Sequence, residues 1–347
     1  MTLNKLKELI QKFGPFVLLG VIIFFILFYS VKIGLTIYRS RKGEVIVLNP
    51  VFGVINKPQV EDVKTSEGLK FQIDTIEGKP VTATKSANVY FLPPSSTKFG
   101  YRDRITSMAS QLGIINIDSY SLQANLARFQ ESTRNFTVDI TNYNFNFNYD
   151  YSKDPDLFTR SIIPTSEEVQ KEAVEILKSI QRYPSEFDTG TTKINYFLFN
   201  AEKNTKSQVA RNIDANLVEV NFFRGLLDEI PTISKKYPNS TNYVSLAATD
   251  RDYLTIEAQI KFFERSVDQI GTYPLITGDQ AYEELKAGRG IVVYNVNETN
   301  KNKVIKKMYI AYFEPSEYME YLQPVYVFEG DDFAAFVWAI NPEYISE

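Results

Sequence analysis

The stretch YNFNFNYDY, residues 143 to 151, sets Tyr143, Phe145, Phe147, Tyr149 and Tyr151 in strict alternation with Asn144, Asn146, Asn148 and Asp150. Side chains of a strand point to opposite faces with period two, so this segment predicts an antiparallel strand with one aromatic and one polar face. The aromatic face has two uses: packing against a core with the asparagines in water, or serving as a flat ligand platform for a glycan or an extended peptide. Five exposed aromatics in a row would make a large adhesive patch, which favours the core.

Strands surround this one. LKFQIDTI at 69–76 and ANVYFLP at 87–93 are rich in β-branched and aromatic residues and bounded by Gly and Pro. Further strands are expected near 120–130, 136–141, 193–201, 216–224, 243–249, 253–265, 304–313, 324–329 and 334–340. The polar stretch 202–215 reads as a long exposed loop.

Three helices interrupt the strands. In YRDRITSMASQLG, Ile105, Met108, Ala109 and Leu112 recur at helical spacing, and Gly113 stands where a left-handed C-terminal cap belongs. A second helix, about 166–181, is announced by Pro164 and by Thr165 with Glu168 three residues on, the capping-box spacing. Val169, Ala173, Val174, Ile176, Leu177 and Ile180 form its apolar stripe, and its acids and lysines its solvated face. A third helix, 278–287, has the same cap in Thr277 and Gln280 and closes at Gly288 and Gly290. The first and third share one arrangement, a helix ending in glycine followed by consecutive strands, which reads as a weak internal repeat. The fold class is therefore α+β, two helix-on-antiparallel-sheet domains at 68–183 and 184–347.

Near the start, FVLLGVIIFFILFYSVKIGLTIY at 16–38 is apolar over twenty-three residues. At the helical rise that is about 35 Å, enough to cross a hydrocarbon layer of roughly 30 Å. A cleavable secretory signal is shorter and ends in small residues, whereas here Leu35, Ile37 and Tyr38 follow, so an uncleaved transmembrane helix is expected. Lys32 is close enough to the end to carry its ammonium to the interface. Lys5, Lys7 and Lys12 precede the span and Lys32, Arg39, Arg41 and Lys42 follow, so the charge rule for orientation is nearly balanced. The orientation adopted places residues 1–15 as a cytoplasmic tail and exports the β-rich remainder, with 39–67 as a juxtamembrane linker. This makes the chain a single-pass protein of the cell membrane with extracytoplasmic domains.

Composition narrows the chemistry. Residues 1–42 hold seven Lys or Arg and one Glu, a net +6, so residues 43–347 must carry −10 to reach the overall −4. That acidity argues against a nucleic-acid partner, which would need basic surface. The chain has no cysteine and no histidine, which excludes disulfide staples, zinc–thiolate sites and the Ser-His-Asp, Cys-His and HExxH constellations. Asp331 with Asp332, and Asp250 with Asp252, are weak calcium candidates better read as turn residues. Asn135, Asn239 and Asn297 begin N-x-S/T triplets, and the single tryptophan, Trp338, reads as core. No catalytic residue, metal ligand or cofactor site is expected.

YPLITGDQAYEELKAGRGIV (273–292), VIKKMYIAYFEP (304–315) and YLQPVYVFEGDDFAAFVWAI (321–340) resemble the closing region of single-pass PepSY-like and YycH/YycI-like ectodomain proteins. VEVNFFR and ANVYFLP resemble segments of uncharacterised membrane-anchored proteins of reduced-genome bacteria. The resemblance covers the last 130 or so residues and implies a cystatin-like α+β fold. For the best understood relatives it implies control of a membrane sensor kinase, with no catalytic residues to carry over. The expectation is a protein that binds the bilayer through 16–38 and an envelope protein through its ectodomain, by an exposed strand edge or by anchor contacts. The alternative is an envelope assembly or adhesion component that uses Tyr143, Phe145, Phe147, Tyr149 and Tyr151 as a platform.

Overall fold

The structure is a computed structural model that describes residues 20–34, 48–158, 163, 165–248 and 253–346. Two compact units divide the chain, 1–47 and 48–347. In the first, residues 20–34 form helix α1, on which Phe24 stacks on Phe28 and Phe25 on Tyr29, one turn apart, with centroids at 6.3 and 6.5 Å. Among the described residues no helix is long and apolar enough to cross a membrane. The remainder of the expected span, 16–19 and 35–38, lies outside the described residues, as do the tail 1–15, the linker residues 39–47 and the pair Asp250 and Asp252.

The second unit is α+β and sheet-rich. Its largest element is a nine-stranded sheet in the order Thr205–Val209, Thr191–Asn200, Leu217–Phe223, Tyr243–Ala248, Tyr253–Ile260, Phe145–Tyr149, Arg134–Asp139, Leu126–Gln130, Tyr120–Gln123. Every pairing in it is antiparallel. Strands before and after the expected boundary at 183 and 184 meet edge to edge, Phe147 opposite Ala258. That boundary therefore runs through the sheet.

Helices α2 (Tyr101–Gln111) and α3 (Ser166–Ser179) pack on one face of this sheet and share its core. The caps form as the local chemistry demands. Gly113 takes φ +80° after α2, and Ile114 and Gly113 donate back to Ala109 and Ser110 at 3.0 Å each, closing the helix in a Schellman motif. At α3 the Thr165 side chain accepts from the Glu168 amide and the Glu168 carboxylate from the Thr165 amide. Its far end closes like that of α2, with Arg182 donating to Leu177 O and Gln181 to Lys178 O, although the left-handed residue is Gln181, φ +54°. The core carries an aromatic ladder across four strands, Tyr120, Phe129, Phe136 and Phe145, with successive ring centroids 5.0, 5.6 and 5.8 Å apart.

The remaining strands form a second assembly. A six-stranded sheet runs Thr232–Ser234, Lys307–Glu314, Pro324–Glu329, Phe333–Trp338, Ile291–Asn295, Lys64–Thr65, and a three-stranded sheet runs Ile270–Pro274, Ser86–Phe91, Tyr321–Leu322. The two share a core with α4 (Gly278–Glu284), which includes Ala87, Val89 and Tyr273 from the smaller sheet, Tyr326, Phe328 and Phe333 from the larger, and Ala281 from α4. The capping box of Thr277 and Gln280 is present. Lys70–Ile73 pairs in parallel with Asn302–Ile305, and Ile55–Asn56 with Ile345–Ser346, so residues 55–91 are built into the C-terminal assembly.

Several expectations change. The stretch 202–215 contains the edge strand Thr205–Val209, folded back on Thr191–Asn200. The expected strand at 304–313 is two, with the break at Lys306, and 120–130 is a hairpin turning at Ala124, φ +49°. Asp331 and Asp332 lie in a hairpin turn and pair with lysines, Lys306 on Asp331 and Lys303 on Asp332 at 3.2 Å.

Candidate functional site

The aromatic residues singled out by alternation go into the core. Tyr143, Phe145, Phe147 and Tyr149 are 7, 1, 1 and 7% exposed. Tyr151, half-buried in a short 3-10 turn, sets its ring edge-on to Phe199 at 4.7 Å and to Phe158 at 5.6 Å. Rings packed in this way present no platform to a ligand, which corrects the adhesion alternative built on them. Asn146 and Asn148, on the opposite face, are exposed as the period requires. Trp338 is half-buried, edge-on to Phe313 and Phe336 at 5.5 Å each.

The site lies elsewhere, where the segment 224–242 leaves the nine-stranded sheet and crosses to the second assembly. Its first residue is a latch. The Arg224 side chain, 1% exposed, donates through Nε and Nη2 to both oxygens of Glu314 at 3.0 and 3.1 Å and through Nη1 to Glu186 at 2.8 Å. It also donates to Phe263 O at 2.7 Å and stacks on the Phe262 ring at 4.1 Å. A charge this deep is tolerable because every direction of the guanidinium finds an acceptor or a ring.

Four residues on, the chain reverses. Leu227 and Ile230 exchange backbone hydrogen bonds of 2.9 and 2.8 Å across Asp228 and Glu229, whose φ angles are +50° and +64°. Two consecutive left-handed residues make the primed turn for which Asn-Gly is the usual sequence. With side chains at both positions the turn costs about 1 kcal/mol or more per residue. Such strain persists only where the surroundings hold it, and it gathers at functional positions.

What holds it is a polar chain. The Asp228 carboxylate accepts from Asn88 Nδ2 at 2.8 Å and, through a short hydrogen bond, from the Tyr90 hydroxyl. Asn88 Oδ1 accepts in turn from Thr272 Oγ1 at 2.8 Å. Tyr312 packs edge-on to Tyr90 with centroids 5.4 Å apart. It is fully buried, with its hydroxyl beside the Tyr90 hydroxyl and the Asn88 backbone but, among the described residues, in well-aligned hydrogen-bond geometry with neither. Burial, and then the Asp228 carboxylate, push Tyr90 up to about 12. Burial, and then the neighbouring Tyr90, push Tyr312 still further above the ordinary tyrosine range. Phenols held this high keep their protons near neutral pH.

These groups border a cavity of about 690 Å³ lined by residues 83–88 apart from Lys85, by Asp228 to Pro231, and by Thr272, Tyr309, Ile310 and Tyr312. Two strand edges open onto it. Thr232–Ser234 covers only Tyr312–Glu314, so among the described residues the outward edge of Lys307–Ala311 has no strand beside it. The Tyr312 amide donates outward to Pro231 O and that of Phe313 inward to Gln323 O, so strand alternation turns the peptide groups of Met308 and Ile310 outward. On the smaller sheet Tyr321–Leu322 covers only Tyr90–Phe91. The Phe91 amide faces Gln269 and that of Leu92 faces Glu320, so by the same alternation the Asn88 peptide groups face the uncovered side. The volume is that of a typical ligand cleft, roughly 300–1,000 Å³.

No family model matches the chain, and no curated protein matches it. Among solved structures, an uncharacterised protein from Eubacterium rectale is similar over 78% of this chain and 87% of its own, at 14% identity and a TM-score of 0.36. YycH from Bacillus subtilis is similar over 77% of this chain and 55% of its own, at 13% identity and a TM-score of 0.34. This chain thus spans about half the length of YycH. Scores this low place the chain in no family and carry no functional argument.

Sequence reasoning missed the groove. Its residues come from four distant stretches, and LLDEIP at 226–231 has neither the Gly nor the Asn that marks a primed turn. The one available signal was the acidic pair itself, set between apolar neighbours. Among the described residues no three Asp or Glu side chains gather as metal ligands would.

Proposed function

We propose that this chain is a membrane-anchored protein-interaction protein. It docks an extended segment of another envelope protein along the strand edges of the groove and modulates that partner without chemistry of its own. The observation that carries this reading is the pair of uncovered edges, Lys307–Ala311 and the Asn88 side of Ser86–Phe91, opening on one cavity. A strand edge offers a row of amides and carbonyls that an extended peptide satisfies, and nearby pockets add specificity. The apolar run 16–38 supports a single-pass anchor with a cytoplasmic N-terminus and an extracytoplasmic ectodomain. The resemblance to YycH-like ectodomains makes a sensor kinase the first partner to look for.

A photo-crosslinking residue placed at Thr84, on the groove, and another at Ile213, exposed on the other assembly, test the docking in native membranes. An integral-membrane protein crosslinked from Thr84 and not from Ile213 is the expected result. Identical crosslinks from both positions, or retention of polysaccharide alone, sink the reading. Reporter fusions at the two ends test the orientation, and a full-length chain that stays in solution without detergent removes the anchor.

A further inference from the structure

We propose that the segment bound in the groove is an extended peptide carrying a lysine or arginine that sets its charge against Asp228. This rests on the docking reading above and names the chemistry it selects.

Charge is the first support. Asp228 is exposed at the rim of the groove, its carboxylate is fixed by two neutral donors, and among the described residues it makes no ion pair, nor does its exposed neighbour Glu229. Arg265, which lies 5.0 Å from the Tyr90 ring, is ion-paired with Glu186 at 3.5 Å. A preoriented carboxylate without a cation attracts one, and the apolar lining beside it strengthens the attraction. The second support is the Tyr312 hydroxyl, fully buried and lining the cavity, whose polar neighbours are the Tyr90 hydroxyl and the Asn88 backbone, neither in well-aligned hydrogen-bond geometry among the described residues. Buried hydroxyls are normally well paired, and a backbone carbonyl of an entering strand offers this one a better-aligned acceptor. The third is the strained turn, which keeps an acid at the rim where Asn-Gly would form the same turn at lower cost. A strand laid along Met308 and Ile310 takes their outward peptide groups. Its remaining side chains meet Ala87, Ile230 and Ile310, which suits small or β-branched residues.

The test uses the full chain in detergent micelles and two fluorescently labelled nine-residue peptides of alternating valine and threonine, one with a central lysine and one with a central glutamate. Fluorescence anisotropy is expected to show the lysine peptide binding about tenfold or more tighter, a difference typical of one desolvated charge contact. In Asp228→Asn, which preserves shape and turn preference, that difference collapses to within about twofold while thermal melting is unchanged. N-methylation of the amides along one edge of the lysine peptide abolishes binding, and along the other edge leaves it intact. Equal binding of the two peptides, binding of neither, or a lysine preference that survives Asp228→Asn overturns charge selection. Indifference to N-methylation on both edges overturns strand pairing. A partner crosslinked from Thr84 but not displaced by excess lysine peptide would leave the docking reading standing and remove this one.

Discussion

The two sheet assemblies solve the same burial problem with opposite outcomes. The nine-stranded sheet lays two helices over its apolar face and seals it: Phe129, Phe136, Phe145 and Phe147 are each 1% exposed or less. The second assembly shares its core between two sheets and one short helix, and near Asn88 and Ile310 each sheet runs past the strand that would cover it. Residues most conspicuous for their chemistry therefore end up inert. The groove forms where two sheets fail to close, and there, among the described residues, strand edges without a neighbouring strand meet a carboxylate without an ion-pair partner. Richness in aromatics marks a core. A shortage of neighbouring strands among the described residues marks the groove.

The largest effects should come from breaking the joint and the sealed core. Arg224→Ala leaves Glu314, 6% exposed, without its cation and is expected to cost about 3–5 kcal/mol in urea unfolding. Retention of wild-type stability would show that the latch does not couple the assemblies. Phe147→Ala empties a fully buried aromatic position and should cost about 3–5 kcal/mol. Once allowance is made for the unfolded fraction, its peptide affinity should match wild type. A matching loss of affinity would mean that the sealed sheet and the open groove are one unit energetically.

An alkaline titration sharpens the contrast next. Tyr90, held up to about 12 against an ordinary 10.0, stays protonated in the folded chain after it would ionise in the unfolded one. Its contribution to stability is therefore complete below pH 10 and is lost as pH rises towards 12. Tyr237, Tyr321 and Tyr326 are held equally high, so Tyr90→Phe should lessen that part of the slope measured by circular dichroism without abolishing it, and an unchanged slope would remove Tyr90 from the account. The smallest effect is a gain: Glu229→Gly relieves a left-handed side chain and should stabilise by about 0.5–1 kcal/mol, a rise of a few degrees in melting temperature. A loss instead would mean that the Glu229 side chain supports the turn.

Much of the fold was readable because its signals are local. A threonine with Glu or Gln three residues on produced both capping boxes, Thr165 with Glu168 and Thr277 with Gln280, since each cap is made within four residues. Gly113 closed α2 for the same reason. Gln181 closes α3 in the conformation a glycine prefers, held there while its carbonyl accepts from Arg104, a contact with a residue 77 positions away that no local pattern could announce. Thr205–Val209 reads as a loop because all but its last side chain are exposed, leaving no period to detect. The candidate site was the least legible part, because it is defined by pairings that are absent.

By itself, then, the sequence determined the strand period, the helix caps, the apolar run at 16–38 and the exclusion of histidine and cysteine chemistry. These depend on residues within a few positions of one another or on composition alone. The tertiary structure alone decided that strands from either side of residue 183 share one sheet, that residues 55–91 join the C-terminal assembly, and that Asn88, Asp228 and Tyr312 surround one cavity. Register between distant strands is chosen by the burial of whole faces at once, and where a strand ends without a neighbour is a property of that global choice.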